Sequence, residues 1–240
     1  MKLVSWNLNG LEDHNLDMRT EAAMFEILLG APIEAAMTEG FKPDSPDIVV
    51  LQEVVKRTYH AHIVPHLKAA GFTIYPDKPS ERSYFELVAV RNKIIESNYT
   101  PFEYSDQGRG LTQIKIDGLT IMTAHMESMK PGASMRVDQA QSVLDKMAKN
   151  NPCIFAGDTN LRKSEWLSLK HAEVKDAWIS VNSPKEHRTT WQQEKYKSRY
   201  DRVWTQNINI KSFKTIGKGQ VALINERASD HYGVRVEFDI

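Results

Sequence analysis

Five short stretches of this chain join an apolar, strand-like run to a cluster of polar groups. They are "VSWNLNG" with Asn7, "VVLQEV" with Glu53, "IMTAHMES" with His125, Glu127 and Ser128, "CIFAGDTNLRK" with Asp158, Asn160 and Arg162, and "ERASDHYGV" with Asp230 and His231. Uninterrupted apolar runs of this length read as strands buried on both faces, so the chain must bury at least one sheet. Polar groups at the ends of such strands are held by a rigid base, which is where sheet enzymes commonly do chemistry. Singly, each has a plain structural reading. Asn7 can cap a turn, Glu53 can open a helix, His125 can be a satisfied core histidine, Asp230 can cap a strand, and "GDTNLR" can be a polar turn.

The segments between them fix the class. "NLDMRTEAAMFEILLG" reads as a helix closed by Gly30, and residues 134–149 repeat Val137, Ala140, Val143, Leu144 and Met147 at helical spacing. A further helix follows Glu53 around "RTYHAHIVPHLKAAG", with a kink or break expected at Pro65. Strands are expected at "FTIYP", "YFELVAVRN", "LTQIKID", "YDRVWT", "INIKSFKTI" and "YGVRVEFDI", and Asp117-Gly118 is a strong hairpin turn. Hairpins mixed with helix-linked strands point to an α/β sandwich with much antiparallel pairing, in one domain over residues 1–240.

The totals narrow the function. Lysine plus arginine (31) balance aspartate plus glutamate (31), so no overall field draws nucleic acid to the chain. A local basic run remains, with Lys185, Arg188, Lys195, Lys197, Arg199 and Arg202 against Glu186, Glu194 and Asp201. No apolar run is long enough to span a bilayer and the start lacks a signal-peptide pattern, so an intracellular protein without membrane contact is expected. The single Cys153 lies within an apolar strand and reads as an inert core thiol.

A hard divalent cation such as Mg²⁺ takes carboxylate and amide oxygens and keeps several waters, which makes Glu53 with Asn7 and Asp230 a sensible cradle. No cysteine cluster or histidine pair reads as a zinc site. Neither GxxxxGK nor GxGxxG occurs where a phosphate loop or a dinucleotide fold needs it. Metal, acid, amide and histidine together fit phosphoester hydrolysis.

In order, "SWNLNG", "LQE", "HMES", "GDTNLR" and "SDHYG" resemble the motifs of the endonuclease/exonuclease/phosphatase superfamily. The resemblance implies a four-layer, DNase I-like α/β sandwich with two mainly antiparallel sheets, and metal-dependent phosphoester hydrolysis. "HMES", "FAGDTNLR", "GRGLTQIKIDG", "TTW" and "RYDRV" are similar to its tyrosyl-DNA phosphodiesterase branch over almost the whole chain. That branch implies cleavage of a 5′-tyrosyl adduct on single-stranded or 5′-overhang DNA, with Mg²⁺ replaceable by Mn²⁺, by a monomer located in the nucleus if eukaryotic and the cytoplasm if bacterial.

By the same resemblance, Glu53 binds Mg²⁺, Asp158 and Asn160 position water, and His231, oriented by Asp230, stabilises the phosphate. His125 and Ser128 contact phosphate with Glu127 beside them, Asn7 and Asp201 support the metal and histidine network, and Arg109, Arg162 and Trp191 engage DNA or tyrosine. Lys163, Met129 and Lys130 depart from the family pattern, and the segment between Trp191 and Asp201 is short and lacks an aliphatic pair that walls the DNA channel in animal forms. No ubiquitin-binding module is expected before Lys2. Open alternatives are an abasic-site endonuclease, a small-molecule phosphatase, and a non-catalytic nucleic-acid-binding module.

Overall fold

The computed structural model describes every residue except 172. The chain runs β1 (Lys2–Asn7), α1 (Leu16–Leu29), α2 (Ile33–Ala36), β2 (Ile48–Val54), α3 (Lys56–Thr58), a π-helical turn (Tyr59–Ile63) and α4 (Val64–Ala69). Next come β3 (Thr73–Tyr75), β4 (Phe85–Val90), β5 (Glu96–Pro101), β6 (Gly110–Ile116), β7 (Leu119–Thr123), α5 (Ala133–Lys149) and β8 (Cys153–Asp158). It closes with α6 (Lys163–Ser168), β9 (Lys175–Asp176), α7 (Ala177–Ser180), β10 (Trp191–Gln193), β11 (Tyr196–Ser198), β12 (Asp201–Gln206), β13 (Asn209–Ile216) and β14 (Gly233–Asp239).

Alternation along the strands explains the layers. Ile48 and Val50 of β2 and Ile154 and Ala156 of β8 enter one shared apolar cluster, whereas Val49, Leu51 and Phe155 point to the opposite faces. The shared cluster lies between a sheet of order β13-β14-β1-β2-β4-β3 and one of order β5-β6-β7-β8-β12-β9. Outside the first sheet, Ala23, Met24 and Ile27 of α1 pack with Ile63 and Leu67; outside the second, Val143, Leu144 and Met147 of α5 pack with Trp166. The result is the expected four-layer α/β sandwich. Pairing is antiparallel except between β1 and β2 and between β7 and β8.

Those parallel pairs position the site. They bring the C-terminal ends of β1 and β2 side by side, and likewise those of β7 and β8, while Asp201 at the start of β12 lies opposite Asp158. Near the end of β2 the pairing register shifts between Leu51 and Val54, and Glu53 adopts φ 54°. A bulge of this kind re-aims a side chain at the price of a left-handed backbone.

Two local expectations change, at Pro65 and in the basic run. Pro65 does not break its helix: α3, the π turn and α4 form a continuous helical segment, in which the wider turn accommodates the missing proline N–H. The stretch after Trp191 is a tight hairpin, with Glu194 at φ 50° supplying a turn without glycine. Within the basic run, Arg199 and Arg202 are turned inward onto Asp176 rather than presented to solvent. Cys153 is fully buried, and burial pushes its thiol up to about 12, in keeping with an inert core group.

Candidate active site

The amide of Asn7 is fully buried and divides its Nδ2 donor between two carboxylates, Glu53 Oε1 at 3.1 Å and Asp158 Oδ2 at 3.0 Å. Its Oδ1 is occupied by the Asn9 N–H at 2.9 Å. Asp158 Oδ1 accepts the Asn160 N–H at 2.9 Å, while the Asn160 side chain donates to Met126 O at 3.2 Å and its backbone sits at φ 51°. Asp201 Oδ2 holds His231 Nδ1 at 2.8 Å, so that His231 Nε2 lies 3.7 Å from Asp158 Oδ2. His125 lies between the acids, with Nε2 3.3 Å from Asp158 Oδ2 and Nδ1 3.7 Å from Glu53 Oε1.

Burial and charge then divide the protonation states. Burial alone would depress the His231 imidazolium, but the Asp201 and Asp158 charges and the Asp201 hydrogen bond outweigh it and raise its pKa to about 10. Burial raises the Asp158 carboxyl to about 7; the His231 charge opposes this rise and Asp201 reinforces it. Burial, followed by the Arg109 and His231 charges, holds His125 well below the usual histidine value, so it is neutral at pH 7. One imidazolium and one neutral imidazole thus flank a carboxyl that titrates near neutrality. Groups split in this way are suited to acid–base and charge-stabilising work.

A cavity of about 420 Å³ opens over this centre, and Glu53, Arg109, His125, Ser128, Asp158 and Asn160 are in its lining, joined by Arg162, Trp191 and His231. Nine expected site residues therefore converge. Asn7 and Asp201 lie beneath, as supports. Two expectations are corrected. Asp230 does not hydrogen-bond His231: its Oδ2 accepts the Trp191 indole N–H at 2.8 Å, and it lines a different pocket beside Arg227. Glu127 is buried away from the cavity, where its Oε2 accepts from Ser105 Oγ at 2.8 Å and so pins the loop whose Ser105 in turn receives the Arg109 N–H. Asn7 steadies two carboxylates through its Nδ2, while its Oδ1 accepts the Asn9 N–H.

Tyr84, Gln107 and Tyr200 also line the cavity, beyond the residues expected there. Tyr84 lies under the Arg109 guanidinium at 5.0 Å, and Tyr200 tilts against Trp191 with ring centres 5.4 Å apart. Gln107 Oε1 accepts from Arg109 Nη2 at 3.0 Å and from the Ser128 N–H at 2.9 Å, joining two expected phosphate contacts. Tyr200 directly precedes Asp201 in "RYDRV" and was the one with a readable signal. From Arg162 and Tyr200 a second groove of about 590 Å³ continues past Lys163, Arg188 and Lys197.

The donor set suits a hard cation. Glu53 Oε2 has no hydrogen-bond partner among the described residues and belongs to a side chain at the cavity, and Asp158 stands on the same Asn7 amide. Asp158, Asp201 and His231 bring one donor atom each within 4.8 Å of one another, but the Asp201-held His231 imidazolium has no lone pair to give an ion. Two buried nitrogens of cavity residues, Arg109 Nη1 and His125 Nδ1, have no hydrogen-bond partner among the described residues. Unpaired polar atoms of this kind are costly unless a ligand completes them.

A profile of the Endonuclease/Exonuclease/phosphatase family matches residues 4–231. Among curated proteins, Tyrosyl-DNA phosphodiesterase 2 of Gallus gallus is 27% identical over 99% of this chain and 66% of its own length. The 5′-tyrosyl-DNA phosphodiesterase of Caenorhabditis briggsae is 27% identical over 99% of this chain and 69% of its own. This chain thus spans just under two thirds of the chicken protein. Among solved structures, D. rerio TDP2 complexed with single strand DNA product has a TM-score of 0.81 at 26% identity, covering 100% of this chain and 99% of that one.

Proposed function

The chain belongs to the endonuclease/exonuclease/phosphatase family, and from that premise we propose that it is a Mg²⁺-dependent phosphodiesterase cleaving the 5′-phosphotyrosyl bond between DNA and a topoisomerase-derived tyrosine. The products are a 5′-phosphate end and a free tyrosine or peptide. The reading is carried by one observation above all: an Asp201-held His231, a near-neutral Asp158 and the partnerless Arg109 Nη1 and His125 Nδ1 converge on one cavity region. The likeness to relatives named for this reaction, and to one bound to single strand DNA product, supports the substrate.

Glu53 is the residue that would hold Mg²⁺, with Mn²⁺ as a substitute, and the ion would neutralise charge on the phosphoryl oxygens. Asp158, ionised, takes a proton from a water aligned by Asn160 as the water oxygen bonds to phosphorus. The bond from phosphorus to the tyrosyl oxygen breaks in the same displacement. Tyrosine's phenol has a pKa of about 10, so it leaves more readily than a sugar hydroxyl and needs little help from a general acid. His231, kept protonated by Asp201, faces the charge that builds on the phosphoryl oxygens, and Arg109 adds its free donor.

Trp191 and Tyr200 offer aromatic faces to a single strand or to the departing tyrosine, and the groove beyond Arg162 offers cations to its phosphates. The enzyme is taken to act as a monomer through one catalytic domain over residues 1–240. Incubation with a 5′-tyrosyl oligonucleotide and Mg²⁺ is expected to yield a 5′-phosphorylated oligonucleotide, and Asp158→Asn to abolish most of that turnover in a folded protein. Absence of product at stoichiometric enzyme would remove the proposal.

A further inference from the structure

Gln107 stands at the catalytic cavity, on the loop between β5 and β6, with its amide turned onto two residues expected to meet phosphate. Three N–H donors converge on its Oε1: the Ser128 N–H at 2.9 Å, Arg109 Nη2 at 3.0 Å and Arg109 Nε at 3.3 Å. The Ser128 hydroxyl lies 3.0 Å from the same oxygen and 2.8 Å from Gln107 Nε2. An amide oxygen has two lone pairs, so this one is ringed by more donors than it can serve. A backbone N–H, a hydroxyl and one edge of a guanidinium aimed at a single point are the surroundings of an anionic oxygen, which arginine meets with paired N–H bonds.

We infer that Gln107 is an affinity-setting residue: its side-chain amide stands in the place of one phosphoryl oxygen, and a phosphate ester displaces it to reach Ser128 and Arg109. The inference rests on the reading that those two residues meet the phosphoryl group. A planar amide offers one oxygen where a phosphoryl group offers several, and Arg109 Nη1 is accordingly left without a hydrogen-bond partner among the described residues. The incoming group also brings negative charge, and hydrogen bonds to an ionised acceptor are roughly twice as strong as those to a neutral one. An anion therefore wins the place from the amide, whereas a neutral ligand gains nothing by the exchange.

The loop is built so that the side chain can leave alone. Gln107 is exposed, and its side chain makes no other hydrogen bond among the described residues. The backbone on either side is anchored independently: Ser105 Oγ donates to the buried Glu127 at 2.8 Å and accepts the Arg109 N–H at 2.7 Å, and Tyr104 O accepts from the buried Gln139 at 2.9 Å. A rotamer change moves the amide into water while Arg109 and Ser128 keep their positions. An occupant that must first be displaced lowers apparent affinity by the fraction of molecules in which the place is open.

The test is titration, in chelator so that no turnover occurs, of a 5′-phosphorylated tetranucleotide and of inorganic phosphate into the wild-type chain, Gln107→Ala and Gln107→Glu. Gln107→Ala, which empties the place, is expected to tighten binding of both probes by about 5-fold, as for a competitor filling about four of every five sites. Gln107→Glu, which puts an anionic oxygen beside Arg109, is expected to weaken both by about 10-fold or more. A side chain that merely supports Arg109 and Ser128 would give the opposite order, with Ala weakened and Glu retained. In the wild-type chain the Gln107 side-chain NH₂ signals should shift when the phosphorylated tetranucleotide is added. Binding to Gln107→Ala no tighter than to the wild type, unmoved Gln107 signals, or no binding of either probe by any of the three would overturn the inference. If the expected order holds while a 5′-tyrosyl oligonucleotide is not cleaved, the substrate reading falls and the role of Gln107 stands.

Discussion

Asp201 and Asp230 both bear on His231, yet only Asp201 hydrogen-bonds the ring, at 2.8 Å, while Asp230 holds the Trp191 indole. Asp201→Asn is therefore expected to lower kcat by about 10³-fold, since it removes both the fixed tautomer and the charge that keeps the imidazolium. Asp230→Asn is expected to act through Trp191, raising KM for DNA with little change in kcat; steady-state kinetics on both variants separates the roles. The same residues set the pH profile. With Asp158 as the proposed base, activity is expected to be lost as pH falls through its raised value of about 7. With His231 proposed to act as the imidazolium, activity is expected to be lost as pH rises through about 10. Stability follows His231 in the same direction: its contribution is complete below the ordinary histidine value and lost as pH climbs toward about 10. A melting-temperature series in chelator should show that loss, blunted in His231→Gln.

The loop after β1 and the bulged end of β2 work as one unit. A Cβ on Gly10 would stand 2.0 Å from the Glu53 carbonyl oxygen, so this position requires glycine for the loop to lie against β2. Gly10→Ala is expected to displace Glu53, destabilising the fold by about 1–3 kcal/mol and raising the Mg²⁺ concentration needed for activity. Thermal unfolding and a Mg²⁺ titration of activity check the two effects together. Unchanged Mg²⁺ dependence would separate Gly10 from the metal site. Strands such as β2 and β8 were legible because both of their faces are apolar, and α1 because Gly30 ends it in a left-handed conformation with its N–H on Glu26. The hairpin at Trp191–Ser198 was not legible: its turn uses Glu194 at positive φ, where the usual asparagine or glycine signal is missing. Pro65 misled for a related reason, since the π turn that absorbs it has no sequence mark.

Across the whole molecule, two sheets contribute one site, and this explains what the linear chain reveals and what it hides. The residue types at strand ends are visible in the sequence, so Glu53, His125, Asp158, Asn160 and His231 could be named together. Partner choice is decided by strand pairing, as when β12 sets Asp201 opposite Asp158 and thereby beside His231, 30 residues further on. The role of Asp201 as the orienting acid could not be read from its neighbours in sequence. Charge behaves likewise: the chain is neutral overall, yet folding sets Arg162, Lys163, Arg188 and Lys197 along one groove continuous with the cavity. The most direct measurement of the central claim is the ratio of kcat/KM for a 5′-tyrosyl single-stranded oligonucleotide to that for an abasic duplex, both in Mg²⁺. A ratio above about 10² is expected, about 3 kcal/mol of preferential transition-state binding; a ratio below one would contradict the assignment of a tyrosyl-DNA substrate.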